Sequence, residues 1–319
     1  MVEGQITLSI VIVNWNTLKL LYDCLQSVVS DTKLITFEII VVDNGSTDGS
    51  PEMVKKEFPM VKLIENQSNV GYAKANNQGI RICSGSYVCL LNSDTLLLDN
   101  SLETLLQIFT EDEKAGAATS MLINPDGSVQ IGSALGEPNL LYWIAVETGF
   151  YKRFPKSRVW GKPYLSYMDH NKTHEIEVCP SAAIVIKRAV IDSTGLLDEN
   201  IFFGTIDWDY SLRMRKDGWK LYYYPHSRIL HYGGQSKKPI KRELLYSDYK
   251  SRFYYFNKHY GSFQMNLFRI LMIFSSLVKL SFFIFHFGLS KLIKEDGKIS
   301  SENIKSHLIR LHTCFTYRP

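Results

Sequence analysis

Four short apolar runs recur along the first hundred residues, and each is followed by a polar loop. The runs are rich in Val, Ile and Leu and show little alternation, which is typical of strands buried on both faces. They cover residues 8–13, 37–42, 61–64 and 87–91. The polar residues that follow them are Asn14, Asp43, Asn44, Asn69 and Asp94.

Helical patterns separate these predicted strands. Apolar residues recur at helical spacing over residues 18–29, which predicts the first helix. The second helix begins at Ser50, a predicted N-cap that is followed by Pro51. A third helix is predicted near residues 73–82. Alternating strands and helices predict a parallel sheet with helices on both faces. Ligands bind such sheets beyond the carboxyl ends of the strands. Asx-turns and helix caps also explain single polar residues there, but four consecutive strands with this ending favour a binding site.

The second half contains a pair of carboxylates at a predicted helix start. Asp207 and Asp209 precede an apolar-periodic segment that ends at Gly218. Acidic residues in a first turn are favoured by the helix dipole, and the same dipole keeps a general base ionised. Residues two apart on a helix do not share a face, so at most one of the two points at a substrate.

Two further features of the second half have open interpretations. The small residues 181–183 precede an apolar strand, where they allow either close approach of a ligand or tight helix packing. His231 ends a predicted strand before a Gly-Gly turn. Lone histidines are more often structural, but a neutral imidazole can share a divalent cation with Asp94 and a diphosphate.

The C-terminal third has a different composition. Residues 237–260 are rich in Lys, Arg and Tyr, and residues 270–289 are almost continuously apolar. About 20 apolar residues span a bilayer, but Lys279 and His286 make a clean span costly. An interfacial or re-entrant helix is therefore favoured, with the basic segment at the headgroups. A helix packed on the first domain or on a second subunit, and a spanning helix, are the alternatives.

Composition narrows the class of protein. Hydrophobic residues make up 45% and charged residues 21% of the 319 residues, which indicates a globular chain. The net charge of +4 does not favour nucleic-acid binding. The five cysteines form no C-x-x-C pair and the N-terminus has no basic n-region, which predicts reduced thiols in a cytosolic domain.

Several nucleotide-binding motifs are missing. The chain has neither G-x-G-x-x-G after its first strand nor G-x-x-x-x-G-K-[ST], which argues against a nicotinamide dehydrogenase and a P-loop enzyme. A sugar-1-phosphate nucleotidylyltransferase needs a Gly-rich basic loop where this chain has N-W-N-T-L-K.

Taken together, the motifs resemble glycosyltransferase family 2, inverting nucleotide-sugar transferases of the GT-A fold. The resemblance covers roughly residues 7–236 and rests on S-I-V-I-V-N-W-N, E-I-I-V-V-D-N-G-S-T-D-G-S, N-V-G-Y-A-K-A-N-N-Q-G-I, L-L-N-S-D-T, F-F-G-T-I-D-W-D-Y-S-L-R and H-Y-G-G-Q-S, in the family's order. Within the family the chain looks most like bacterial rhamnosyltransferases of polysaccharide assembly, which often carry Asn-x-Asp where other members carry Asp-x-Asp. The segment 250–261, K-S-R-F-Y-Y-F-N-K-H-Y-G, also resembles that branch.

The resemblance implies an α/β GT-A domain over residues 1–236, with a mostly parallel sheet. Residues 1–100 would bind the nucleotide sugar and residues 101–236 would serve the acceptor and catalysis, followed by a helical, membrane-associating region 237–319. Asp94 and His231 would hold Mg²⁺ or Mn²⁺. Asp207 matches the general base, but Ile206 stands where the family usually has Glu, which leaves Asp209 as an alternative. The residues implied in nucleotide-sugar binding are Val13, Asn14, Asp43, Asn44, Asn69, Gly71, Asn76, Asn92 and Ser93.

The implied reaction is transfer of a sugar, rhamnose from dTDP-rhamnose being favoured over a UDP-sugar, to a saccharide or a polyprenyl-diphosphate-linked acceptor. Such an enzyme would sit at the inner face of the cell membrane, bound through residues 266–289, with a homodimer as a further possibility. Asn92 and Ile206 favour the competing hypothesis of a nucleotide-sugar-binding or scaffold protein that has lost activity.

Overall fold

The four predicted strands form one half of a nine-stranded sheet. The structure, a computed structural model, describes residues 6–233, 242–292 and 298–318, with the side chains of residues 287–301 excluded. The predicted boundary at residue 236, the start of the basic segment 237–260 and the side chains of residues 287–289 lie outside the described part. The first-half strands are β1 (Leu8–Asn14), β2 (Phe37–Asp43), β3 (Lys62–Glu65) and β4 (Tyr87–Asn92).

These four strands are parallel, as predicted, and the structure places them in the order β3-β2-β1-β4. They are connected by helices α1 (Leu18–Asp31), α2 (Ser50–Glu57) and α3 (Tyr72–Ile82). The predicted cap at Ser50 was wrong by one residue. Gly49 precedes the helix in the left-handed region, and the Ser50 hydroxyl donates to Asp48 instead.

The other half of the sheet is mixed. β8 lies antiparallel between β4 and β6, so the order continues β4-β8-β6-β9-β5, with β7 paired to β9. Four neighbouring pairs are parallel and four are antiparallel, so the prediction of a mostly parallel sheet was only partly correct. The apolar pattern of a fully buried strand carries no information on strand direction. The strands are β5 (Thr95–Leu98), β6 (Ala115–Ile123), β7 (His174–Ile176), β8 (Ala183–Lys187) and β9 (Lys220–His231).

The remaining helices pack around this sheet and beyond it. The long helix α10 is broken at Gly261, which has φ 80° and ψ 170°. A 3₁₀ turn covers Lys162–Tyr164. The helices are α4 (Ser101–Leu106), α5 (Ile108–Glu111), α6 (Leu140–Thr148), α7 (Phe150–Arg153), α8 (Arg188–Thr194), α9 (Ile206–Lys216), α10 (Arg242–Leu292) and α11 (Lys298–Thr316).

The sheet is covered on both faces, which explains why its strands lack apolar-polar alternation. Ile10 and Ile12 of β1 pack with Leu21 and the rest of one core, whereas Val11 packs into the opposite core with Ile80 of α3. Successive residues of a strand point to opposite faces, so both sets must be apolar.

A third core joins the C-terminal helices to the first domain. Phe256 and Phe268 of α10 stack with ring centroids 4.3 Å apart, and Phe268 contacts Trp143 of α6. Leu212 of α9 belongs to the same cluster. The first half of α10 is therefore a packed structural helix and not a free appendage.

Lys279, the charged residue that argued against a membrane span, forms an ion pair inside the protein. Lys279 donates to Glu147 of α6 at 2.6 Å, and Arg310 of α11 donates to the same carboxylate at 2.8 Å. Burial by itself raises the pKa of Glu147, but Arg310, Lys279 and Ser275 outweigh it and lower that pKa to about 2. This buried group ties α6, α10 and α11 together.

We expect Glu147→Gln to lower the free energy of unfolding by about 3 kcal/mol, because the buried Arg310 and the partly exposed Lys279 lose their counter-charge. The pKa of Glu147 is depressed in the folded state, so its contribution is complete above about pH 4.5 and is lost as the pH falls toward 2. Denaturant unfolding at neutral and acidic pH measures both effects. Glu65→Gln, in the exposed pair with Lys55, is the matched control and should change stability by less than about 1 kcal/mol. Equal losses in the two variants would contradict the role of Glu147.

Among the described residues, one helix is long and apolar enough to cross a membrane by length and composition. It is the part of α10 over residues 242–286, and only 22% of its most apolar window is buried within the protein.

Candidate active site

The carboxyl ends of β1, β2 and β4 lie side by side and are joined by side-chain hydrogen bonds. The Asn14 Nδ2 group donates to Asp43 Oδ1 at 2.9 Å. Thr17 Oγ1 donates to Asn14 Oδ1 at 2.6 Å and lies 3.0 Å from Ser93 Oγ. Asn14 and Asp43 are buried. These side chains hold the edge of the sheet in shape, while Val13 and Ser93 are next to them.

Asn44, Asn69 and Gly71 form a second group at this edge. Asn44 Nδ2 donates to Asn69 Oδ1 at 3.3 Å, and the Gly71 N–H donates to the same oxygen at 2.9 Å. Gly71 has φ +90°, and a Cβ placed there would lie 2.8 Å from a ring carbon of Phe202. The glycine therefore permits close contact with the loop that leads into α9, a reason that the sequence did not indicate.

Tyr72 links the Asn92 position to that of Asp207. Its hydroxyl lies 3.1 Å from the carbonyl oxygen of Ser181 and 3.4 Å from Asn92 Oδ1. Burial, together with the nearby Asp207 carboxylate, raises the pKa of Tyr72. Asn76 is buried and donates to the backbone carbonyl of Tyr72 within α3, so it helps to hold Tyr72 in place.

Asp207 occupies the first turn of α9 and lines a small cavity. Ser181, Tyr72 and Tyr210 also line it. Burial raises the pKa of Asp207 above its ordinary value, although hydrogen bonds from Ser181 act in the opposite direction. The residue as a whole nevertheless keeps part of its surface exposed. A partly desolvated carboxylate of raised pKa can accept a proton from a substrate hydroxyl.

Asp209 has a different environment. Its side chain is 1% exposed and accepts from Arg213 at 2.9 Å, Lys258 at 2.6 Å and His259 at 2.8 Å. Burial alone raises the pKa of Asp209, but His259, Arg213 and Lys258 outweigh it and lower that pKa. Arg213 also donates to the Thr194 carbonyl. Asp209 is thus an ion-paired link between α9 and α10.

Asp94 and His231 meet at the end of the sheet, where β5 pairs with β9. His231 Nε2 lies 3.3 Å from Asp94 Oδ1, and Nδ1 lies 2.7 Å from Gln130 Oε1. Gln130 Nε2 donates to Asn124, which directs its Oε1 toward the imidazole. Gln130 therefore favours a proton on Nδ1, so that in neutral His231 the Nε2 lone pair faces the carboxylate.

This arrangement fits a divalent cation. Two electron-rich atoms facing each other repel unless a cation or a proton lies between them, and a carbonyl acceptor behind the imidazole is the usual support of a metal-ligating histidine. No group of three or more His, Cys, Asp or Glu side chains suited to a metal occurs in the described part of the chain. Mg²⁺ and Mn²⁺ keep few protein ligands when a substrate diphosphate supplies the others.

The two predicted reactive centres lie at the same edge of the sheet. Asn92 is two residues from Asp94 and lies beside the Tyr72 hydroxyl, which also contacts Ser181, a hydrogen-bond partner of Asp207. The sequence did not indicate roles for Tyr72, Gln130, Lys258 and His259, because each acts through a contact with a residue distant in the chain.

The mixed nine-stranded sheet with its polar carboxyl edge is the GT-A glycosyltransferase fold. The mannosyltransferase PcManGT from Pyrobaculum calidifontis, solved with GDP-Man and Mn²⁺, has the same fold at a TM-score of 0.59 and 14% identity, over 97% of this chain and 88% of that one. GalNAc-T7, solved with UDP, GalNAc and Mn²⁺, aligns at a TM-score of 0.54 and 21% identity, over 71% of this chain and 43% of that one.

The family model "Glycosyl transferase family 2" matches residues 9–195, so the chain belongs to glycosyltransferase family 2. A similar relative is the N-acetylglucosaminyl-diphospho-decaprenol L-rhamnosyltransferase of Mycobacterium tuberculosis. It is 27% identical over 237 residues, which cover 70% of this chain and 76% of the relative. The family resemblance noted from the motifs is thereby confirmed.

Proposed function

We propose that this glycosyltransferase is an inverting, metal-dependent enzyme that moves a sugar from a nucleotide-diphosphate donor to an acceptor hydroxyl. The observation that carries the proposal is the location of Asp207 and of the Asp94–His231 pair at one edge of the sheet. A binding protein that had lost its activity would have no need for a carboxylate of raised pKa at the same edge of the sheet as a pair of residues suited to a cation.

Asp207 is the general base of this reaction. It takes the proton of the acceptor hydroxyl while that oxygen attacks the anomeric carbon. The bond from that carbon to the diphosphate oxygen breaks, and the nucleoside diphosphate leaves with the electron pair. Attack opposite the leaving group inverts the anomeric centre. Support comes from Asp209, whose buried carboxylate is occupied by Arg213, Lys258 and His259 and is closed to substrate.

Asp94 and His231 are the residues that would hold Mg²⁺ or Mn²⁺. The bound cation would neutralise the charge that develops on the departing diphosphate. Two proteins of the same fold were solved with Mn²⁺, which supports a divalent cation here. A carboxylate at position 92 is not needed in this arrangement. The amide oxygen of Asn92 instead lies beside the hydroxyl of Tyr72.

Gln130 supports the imidazole of His231, so Gln130→Leu should weaken Mn²⁺ binding by about 10–100-fold. The leucine keeps a similar volume but cannot accept the Nδ1 proton at 2.7 Å. Titration of Mn²⁺ in the presence of a nucleoside diphosphate measures the affinity. Gln26→Leu, at an exposed position on α1, is the control and should leave the affinity unchanged. Unchanged affinity in Gln130→Leu would exclude this supporting role.

The donor nucleotide lies along the carboxyl ends of β1 to β4 in this proposal. Val13, Asn44, Asn69 and Ser93 border it, and the buried Asn14 and Asp43 keep that edge rigid. The name of the mycobacterial relative favours rhamnose as the sugar, carried by dTDP, over a UDP-sugar. The same name supports a polyprenyl-diphosphate-linked saccharide as the acceptor.

A thermal-shift screen of nucleotide sugars with and without Mn²⁺ tests donor binding, because a ligand that binds only the folded state raises the melting temperature. Transfer assays with the donors that bind, followed by assignment of the product anomer, test the reaction. Inversion at the anomeric carbon is expected. Donor binding without transfer or hydrolysis would support the alternative of an inactive nucleotide-sugar-binding protein, and a retained anomer would exclude the proposed mechanism.

We also propose that α10 holds the enzyme at the inner face of the cell membrane. Its polar residues Ser275, Ser276 and Lys279 point inward to Glu147 and Arg310. The opposite side is an exposed apolar stripe with helical spacing of three and four residues. This stripe consists of Phe263, Leu267, Ile270, Phe274, Val278, Phe282 and Phe285. Such an outward apolar face suits an interfacial helix.

A further inference from the structure

We propose that residues 149–160, the basic-aromatic segment, form a second contact with the membrane that selects anionic lipid headgroups. This inference rests on the proposed membrane association of α10 and adds a site that the sequence had not indicated. The segment reads G-F-Y-K-R-F-P-K-S-R-V-W and includes helix α7.

The segment presents cations and apolar side chains to solvent together. Phe150, Phe154 and Val159 are exposed, with Phe154 at 46%. Four cations lie between them and are exposed as well. None of the four forms an ion pair with another residue that the structure describes, whereas many surface cations elsewhere do. They are Lys152, Arg153, Lys156 and Arg158.

The position of the segment relative to α10 follows from the buried ion pair of α6. Glu147 is hydrogen-bonded to Ser275 and Lys279, on the side of α10 that faces away from the apolar stripe but at the same level along the helix. Phe150 follows three residues later, so its Cα is within about 11 Å of the Glu147 Cα. The segment therefore starts near the part of α10 that carries the stripe residues Phe274 and Val278.

The chemistry of the basic-aromatic segment favours a bilayer over a second copy of the chain. In a two-fold dimer the same patch meets itself, which would bring two sets of four unpaired cations together. A bilayer accepts the apolar side chains at the acyl boundary, while anionic phosphate headgroups neutralise the cations. Aromatic rings beside Lys and Arg suit the same depth in the membrane.

The test uses the full-length protein and co-sedimentation with vesicles. One preparation is phosphatidylcholine alone, and the other contains equal parts of phosphatidylcholine and phosphatidylglycerol. The wild type should bind the anionic vesicles more tightly by roughly tenfold or more, and added salt should reduce this preference. The variant K152Q/R153Q/K156Q/R158Q should lose the preference while it still binds phosphatidylcholine through α10.

A matched control keeps the net charge equal. The variant K19Q/K55Q/K56Q/K172Q also removes four exposed cations, but from positions outside residues 149–160 that lie within surface ion pairs. It should retain the preference for anionic vesicles. Thermal unfolding of each variant shows that it is folded, and nucleotide-sugar binding in solution should be unaffected in both.

Each result separates this inference from the proposals on which it rests. Equal binding of the wild type to both vesicles, equal losses in the two quadruple variants, or absence of vesicle binding would overturn it. The variant F274S/F285S should weaken binding to both vesicles, which tests α10 itself. Loss of sugar transfer from soluble substrates would concern the catalytic proposal alone.

Discussion

Replacing Asp207 with asparagine is expected to reduce kcat by about 10²–10⁴-fold, the usual contribution of a positioned general base. The amide keeps the shape of the side chain but cannot take the acceptor proton. Donor affinity and Mn²⁺ affinity should stay close to the wild-type values, because the proposed donor and metal contacts are made by other residues. Steady-state kinetics with varied acceptor, together with donor titration, measure these quantities.

The pH dependence of the wild type adds a second readout. The base works in its ionised form, and burial raises the pKa of Asp207 above the ordinary value of 3.8. The acid limb of the kcat profile should therefore lie above that value, with activity falling as the pH drops through it. In Asp207→Asn this limb should disappear from the residual activity.

Asp209→Asn distinguishes the two aspartates. It leaves Arg213, Lys258 and His259 without their buried counter-charge, so it should lower the free energy of unfolding by about 3 kcal/mol. Asp207→Asn should have little effect on stability, since it removes a carboxylate that burial already disfavours. A fully active Asp207→Asn variant, or a stable Asp209→Asn variant with the larger loss of kcat, would reverse the assignment.

Removal of the carboxylate at Asp94 is expected to lower kcat/KM by about 10³-fold, or about 4 kcal/mol, because a cation at the departing diphosphate supplies several kcal/mol. The variant Asp94→Ala should also need far more Mn²⁺ for half-maximal donor binding. His231 alone is a poor ligand for a hard cation without the carboxylate 3.3 Å away.

Asp192→Ala, which removes an exposed carboxylate from α8, is the control for Asp94→Ala and should behave as the wild type. Titration of activity with a chelator gives an independent check. Wild-type activity that resists the chelator, or Asp94→Ala with normal metal dependence, would show that the cation is not bound at this pair.

The C-terminal helix α10 links the surface of the protein to the proposed base. Lys258 and His259 hold Asp209 in the first turns of α9, two residues beyond Asp207. The same helix continues past Gly261 into the exposed apolar stripe. The helix that carries the stripe proposed to contact the membrane therefore also holds the residues that pair with Asp209, beside the proposed base.

Local patterns in the sequence were enough for the first half of the fold. Buried parallel strands are apolar throughout and helices repeat at 3.6 residues, so β1 to β4 and α1 to α3 could be predicted, as could the polar edge where the strands end. The family could also be named, since its motifs occur in order and the family model matches residues 9–195.

The tertiary structure decided what depends on contacts between distant residues. The antiparallel insertion of β8, the pairing of Lys279 with Glu147, and the support of His231 by Gln130 all join positions far apart in the chain. The sequence alone does not distinguish the two aspartates of α9, because they have the same side chain and both lie in the first turn, near the same end of the helix dipole. The packing of α10 adds Lys258 and His259 to Arg213, the partner of Asp209 within α9, whereas burial dominates at Asp207, because desolvation and ion pairing are properties of neighbours in space.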